Sequence, residues 1–294
     1  MEIFKELKHI EGLSLALGFF DGVHLGHQAV IKSATNHAHK NNNKSAVITF
    51  KAHPQDFLSN SKIKYITTRK QRATLIKELG IDYLFELDFS EEISNLTGEE
   101  YLKNIIFEYF KPTSISTGFN HTFGKNKSGT PLLLEKMQAE YNYKYYQTIA
   151  QSIDNNVISS SKIKEYLIKG DITQANIMLG HEFILEGNVI HGNHFGRELG
   201  FPTANIKYPK DIVELPLGTY STQIYNHKSI TNYGKKPTVC NACDAIVESH
   251  ILNFNKNIYN TNIQVRFIKK IRDEKKFNSV YELKEQIKKD ISEC

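Results

Sequence analysis

What most limits the fold of this chain is a change of rhythm near residue 181. Before it, short apolar runs alternate with longer amphipathic stretches, as strand and helix do in an α/β domain. Leu13–Phe20 reads as a buried strand, and Gly26–Lys40 as a helix with Ala29, Val30, Ala34 and Ala38 along one side. Ser45–Phe50 is the next strand. A helix over Arg69–Leu79 leads to a strand over Asp82–Leu87, and one over Gly98–Phe110 leads to a strand over Thr113–Gly118. Repeated right-handed crossovers of this kind build a parallel sheet with helices on both faces and ligands at the carboxyl ends of the strands. After residue 182 the segments EFILEGNVIHG, TYSTQIYN, DAIVESHILNF and IQVRFIKKI are short, β-branched or aromatic, and separated by Gly, Asn and Pro. Only Ser279–Ile291 reads as a helix there, so a small, mostly-β barrel closed by a C-terminal helix is expected. The expected domains are residues 1–181 and 182–294.

Composition removes several classes. The 294 residues are 40% hydrophobic and 23% charged, which excludes fibrous and disordered chains. No uncharged apolar run approaches the roughly 18 residues that cross a bilayer. The first stretch carries Glu2, Lys5, Glu6 and Lys8 where a secretory signal is apolar. A cytoplasmic setting without a membrane partner is therefore expected. Lys and Arg outnumber Asp and Glu by 37 to 32, a formal charge of +5, but the excess is scattered. A regulator that reads nucleic acid needs a basic helix or ribbon, and none is evident, so no nucleic-acid partner is expected. The sequence does not set the oligomeric state. Cys240 and Cys243 have C-x-x-C spacing, but a zinc site needs two more ligands, no second Cys pair exists and His250 is the nearest obvious candidate, and no helix start favours redox work. Both read as structural or incidental.

The most informative segment is GFFDGVHLGHQ, Gly18–Gln28, which begins as a strand ends and finishes as a helix begins. A helix start presents free N–H groups to an anion. His24 and His27, three apart, can face the same phosphate, and Gly22 and Gly26 let the backbone come close. We read this as a nucleoside triphosphate site. GKNKSG, Gly124–Gly129, lacks the spacing and strand context of a P-loop. The H-x-G-H form points to nucleotidyl transfer, in which attack at the α-phosphate expels pyrophosphate and catalysis rests on positioning and positive charge.

Further segments are less specific. ISSSKIK, Ile158–Lys164, reads equally as a donor-rich anion cradle or as a helix cap supplied by Ser159 or Ser160. TFKAHP and GFNHTFGKNKSG each follow an expected strand, so both lie on the ligand-bearing edge. Phe119 and Phe123 with the Asn120 amide either hold a planar heterocycle or pack as ordinary aromatics. In GRELGFPTANI, Thr203 and Asn205 are suited to Mg²⁺ or a phosphate, projecting from a turn stiffened by Pro202.

In order, GFFDGVHLGHQ, TFKAHP, GFNHTFG, ISSSKIK and HGNHFGRELGFPTANI resemble the bifunctional bacterial riboflavin kinase/FAD synthetase family over essentially the whole chain. The resemblance implies a Rossmann-like nucleotidyltransferase domain followed by the kinase barrel. It implies that riboflavin and ATP give FMN in the second domain, and that FMN and ATP give FAD in the first, with Mg²⁺ serving both. His24 and His27 would hold the ATP phosphates, among Gly18, Phe20, Asp21, Gly22 and Gly26. Asn120 would lie at the transfer site, and Ser160, Ser161 and Lys164 in the ATP-side signature. Gly196, Arg197, Gly200 and Pro202 would belong to the kinase signature. There Thr203 and Asn205 contact Mg-ATP, Glu248 acts as base and Arg272 lies near flavin or nucleotide.

Some positions depart from the family's pattern. Lys164 stands where an Arg is usual and loses its planar fork, so weaker ATP binding is expected. In the barrel, GTY, NYGKKPT and ESHILNFNKNIYN replace G-V-Y, S-I-G-x-x-P-T and E-V-H-I-L-D-F-x-x-D-L-Y-G. The alternative reading is therefore adenylyl transfer only, with a weakened or inactive kinase domain.

Overall fold

The structure, a computed structural model, describes residues 1–59, 62–191, 196, 199–235 and 245–294. Arg197, Cys240 and Cys243 lie outside the described residues. Contacts divide the chain into two compact units, Met1–Ser160 and Ser161–Cys294. The helix Ile172–Leu179 belongs with the second: Asn176 donates to the Phe267 carbonyl at 2.8 Å and accepts the Phe183 N–H at 2.8 Å.

The first unit holds six strands, β1 (Glu2–Phe4), β2 (Ser14–Leu17), β3 (Ser45–Phe50), β4 (Tyr83–Leu87), β5 (Ser114–Gly118) and β6 (Lys144–Thr148). They form one all-parallel sheet in the order β1-β4-β3-β2-β5-β6. Side chains alternate across a strand, and the two faces bury different sets. Leu15, Leu17, Ala46, Ile48, Phe85 and Leu87 go to one core. Ala16, Val47 and Leu84 go to the other, under α1 (Leu25–Lys40) with Val30, Ile31 and Ala34. The expected helix over Gly98–Phe110 is helical throughout, with a wider π-type stretch at Leu102–Phe107. The edge strands β1 and β6 were not expected from the sequence. They are short, and β6 is mostly exposed, so neither carries a buried apolar run.

The second unit is an antiparallel sheet of β9 (Phe183–Asn188), β10 (Ala204–Lys207), β11 (Gly218–Ile224), β12 (His227–Lys235), β13 (Ala245–Ile251) and β14 (Asn262–Asp273); β7 (Ser152–Ile153) and β8 (Asn156–Val157) form a small hairpin late in the first unit. The order β10-β13-β12-β11-β14-β9 is brought almost to closure by a bridge from Ile190 to Asn205. Tyr220, Tyr233, Val247, Val265 and Phe267 fill the interior. A C-terminal helix, Val280–Ser292, follows.

Candidate functional site

From β2 the crossovers run one way through β3 and β4, and β5 and β6 lie on the other side. An open α/β sheet leaves its crevice at the carboxyl ends of the strands where that reversal occurs. Here those are the ends of β2 and β5, from which the GFFDGVHLGHQ and GFNHTFG segments depart.

The turn after β2 is strained, with left-handed backbone at Phe20 (φ 61°), Gly22 (79°) and Val23 (40°). At the non-glycine positions, Phe20 and Val23, this costs about 1–3 kcal/mol each and persists only when the surroundings hold it, whereas Gly22 takes the conformation freely. Here Asp21 is the latch. Its Oδ1 accepts N–H bonds from Ile66 at 2.9 Å and Thr67 at 3.3 Å, and Gly22 N–H donates to the Thr67 hydroxyl at 3.1 Å. Ser160 Oγ donates to the Asp21 carbonyl at 3.0 Å. The Phe20 ring is buried against Gly18, where a Cβ would come within 2.8 Å of it. Asp21, Phe20 and Gly18 thus shape the turn.

The histidines stand at its end. His24 is the N-cap of α1, and its Nδ1 accepts the His27 N–H at 3.3 Å, so in the neutral ring the proton sits on Nε2. The two rings stack with centroids 3.6 Å apart, and Phe20 meets His27 edge-on at 5.3 Å. His27 Nδ1 is enclosed without a hydrogen-bond partner. Burial first, then the charges of His24 and Arg72, hold His27 well below the usual imidazole range. The Leu25 and Gly26 N–H groups have no intrahelical acceptor. Donors outnumber acceptors, and an arriving polyphosphate would both accept from them and favour the charged imidazoles.

Asn120 is exposed in the turn after β5, which closes through His121 N–H on the Gly118 carbonyl at 3.2 Å. Burial pushes His121 down to about 4. Phe123 is packing: it stacks on His121, approaches Tyr101, and lies so close over Gly129 that a Cβ there would be 2.4 Å from its ring. Phe119 is left exposed. Ser160 opens the helix Ser160–Lys169, with Ser161 exposed in its first turn and Lys164 one turn on.

Sequence reasoning missed Arg72. It lies on α3 (Arg69–Glu78), since α2 is the short helix Pro54–Leu58, and it is buried to 3% exposure. Among the cations of RKQRATLIKE nothing in the sequence separates it from its solvated neighbours. It also missed the cluster of His53, Asp56 and Tyr65 beside Phe19, where the Tyr65 hydroxyl donates to Asp56 and accepts the His53 N–H at 3.0 Å.

In the second unit Thr203 immediately precedes β10 and Asn205 lies within it, so the expected stiff turn is corrected to a strand. Register places Asn205 opposite Glu248, Glu248 opposite Asn232, Asn232 opposite Thr219, and Thr219 opposite Arg272. Thr203 Oγ1 donates to Glu248 Oε1 at 2.8 Å. Asn205 is 4% exposed, and its Oδ1 is buried with no hydrogen-bond partner. A hydroxyl, an unmet amide oxygen and a carboxylate are hard oxygen donors, the set a Mg²⁺ ion takes. No cluster of three or more His, Cys, Asp or Glu suited to a metal occurs among the described residues. Pro202, Thr203, Ile251, Phe254 and Tyr259 border an open cavity of about 180 Å³. The Pro202 carbonyl lies 2.8 Å from His250 Nδ1. Gly196 accepts the Phe201 N–H at 2.7 Å, and Gly200 takes a left-handed φ of 90°.

Arg272, expected near flavin or nucleotide, lies on β14 and has a carboxylate partner. Its guanidinium grips Asp290 of the C-terminal helix at 2.8–3.0 Å. Asp290 is 1% exposed and also accepts from Gln286 at 2.8 Å. The pair fastens the helix to β14.

Comparison with known proteins bears on both units. The family model described as FAD synthetase matches residues 6–162, and that described as riboflavin kinase matches 179–294. A bifunctional riboflavin kinase/FMN adenylyltransferase of Buchnera aphidicola is 37% identical over 97% of this chain and 94% of its own length. This chain belongs to that family. A second member, from Bacillus subtilis, is 34% identical over 95% of this chain and 90% of its own. A solved Streptococcus pneumoniae structure described as a macrolide-efflux protein is 28% identical with a TM-score of 0.89, covering 99% of this chain and 97% of that one. No helix among the described residues here is long and apolar enough to cross a membrane. Two departures from the family pattern, Thr219 and Asn232, turn out to be cross-strand partners beside Glu248.

Proposed function

We propose that this chain carries out both steps of flavin cofactor synthesis at two separate centres. The observation that supports the reading is that each unit brings together its own cluster of residues suited to handling a nucleotide. The first constellation lies at the reversal of the parallel sheet and the second on neighbouring barrel strands. All of His24, His27 and Asn120 precede, and all of Thr203, Asn205 and Glu248 follow, the border at 181/182 that the sequence rhythm sets.

In the barrel, Glu248 takes the proton of the terminal ribityl hydroxyl as that oxygen attacks the γ-phosphorus of ATP, giving FMN and ADP. Thr203 and Asn205 would hold Mg²⁺, which neutralises phosphate charge when bound. The cavity bordered by Pro202, Thr203 and Phe254 receives part of the nucleotide. In the α/β unit, an FMN phosphate oxygen attacks the α-phosphorus of a second ATP and pyrophosphate leaves, giving FAD. His24 and His27 hold the departing phosphates, and Asn120 presents its amide from the other side of the crevice. ATP, riboflavin, FMN and FAD are then the small-molecule substrates and products, and we place the work in the cytoplasm, with ATP at hand.

Incubating the full chain with riboflavin, ATP and Mg²⁺, and resolving flavins by chromatography, tests this. We expect FMN first and then FAD. FAD from supplied FMN with no FMN from riboflavin would replace the reading by adenylyl transfer alone.

A further inference from the structure

A guanidinium costs several kcal/mol to take out of water, and natural chains accept this where it is partnered or used. Arg72 is 3% exposed, yet its partners are few. Nη2 donates to the Phe50 carbonyl at 2.8 Å, the guanidinium lies 4.3 Å from the Phe19 ring centroid, and Nε is buried without an acceptor. Glu86, 3% exposed, spends one oxygen on Arg69 Nε at 3.0 Å, so it balances Arg72 through space, as does Asp21.

These contacts have a direction. Phe50 ends β3, and Phe19 lies in the turn that ends at His24. One side chain from α3 therefore fixes the carboxyl ends of two adjacent strands and sets a buried positive charge beside the histidine pair. We propose that Arg72 is a positioning residue for adenylyl transfer, holding the phosphate-binding turn in place and adding fixed positive charge beneath it. The inference rests on the reading that the His24–His27 turn binds the ATP phosphates. Aliphatic packing alone would need no cation here, since a methionine fills similar volume.

The groups that act on His27 are His24 from its own turn and Arg72 from α3. Removing the Arg72 charge lifts the His27 titration. The test uses the full chain as Arg72→Met, Arg72→Lys and His27→Ala. It measures adenylyl transfer from FMN, riboflavin phosphorylation as an internal control, and the His27 titration by NMR with ¹³C-labelled histidine. We expect Arg72→Met to raise the KM for ATP about tenfold or more, and to move the His27 titration upward while burial still holds it below the ordinary imidazole range, with riboflavin phosphorylation unchanged. Arg72→Lys keeps the charge but loses the planar fork, so kcat falls while His27 stays low. Unaltered kcat, KM and His27 titration in Arg72→Met would overturn the inference. Should that variant not fold, an unaltered kcat in Arg72→Lys overturns it alone. Full adenylyl transfer by His27→Ala would instead overturn the reading of the turn itself.

Discussion

On the proposed reading the two centres solve the same problem, gripping a polyphosphate, with opposite materials. At the end of β2 the chain itself supplies the positive end: open helix N–H groups, two stacked imidazoles and a buried guanidinium. On the barrel it supplies oxygens, from Thr203, Asn205 and Glu248, and so calls for a cation to complete it. The difference follows from the sheets. A parallel sheet delivers helix starts to one edge, where the backbone is the ligand. An antiparallel barrel wall has no such ends, and its chemistry comes from side chains that register sets in a row.

The contrast predicts separable losses. The largest is in the barrel, where Glu248→Gln should lower riboflavin phosphorylation by about 10²–10⁴-fold while FAD formation from supplied FMN persists. His27→Ala should lower adenylyl transfer by about 10²-fold and leave FMN formation intact. Chromatography of the two flavin products reads both, and equal loss of both activities in either variant would merge the centres.

Asp290→Ala leaves Arg272 half-buried without its partner, and we expect a cost of about 3 kcal/mol to the second unit, read by urea unfolding. If Arg272 instead belonged to the flavin site, the variant would alter the KM for riboflavin with little change in stability.

The legibility of the two centres differs for the same reason. GFFDGVHLGHQ is contiguous, so strand, turn, cap and histidines were all readable along the chain, and α1 begins within a residue of where it was expected. The row from Asn205 to Arg272 is drawn from five strands, and no spacing in the sequence encodes a register. TANI looked like a turn because Pro202 and Gly200 precede it, yet Ala204 and Ile206 are buried and make it a strand. Arg72 was hidden because a cation on an amphipathic helix is ordinarily solvated; only the tertiary fold buries it.

Acid should separate the units more gently. With its folded pKa lowered from 6.5 to about 4, His121 stays neutral in the fold while the unfolded chain takes up a proton. Stability present above pH 6.5 is therefore lost as pH falls toward 4, by about 2 kcal/mol at pH 5, with His27 and His37 acting in the same direction. Unfolding of the first unit at pH 7 and pH 5 measures this, and His121→Gln should flatten the slope.

The smallest effect is a gain. Thr219 Oγ1 is buried without a partner, so Thr219→Val should stabilise the barrel by about 1 kcal/mol in thermal unfolding. No gain would mean that the hydroxyl finds a partner in solution.

The central claim, two independent centres joined by freely exchanged FMN, meets its most direct test in a mixture. Alone, neither His27→Ala nor Glu248→Gln should convert riboflavin to FAD at more than about a hundredth of the native rate. Combined in one tube with ATP and Mg²⁺ they should do so, the first variant supplying FMN to the second. A mixture that makes no more FAD than either variant alone would contradict the account.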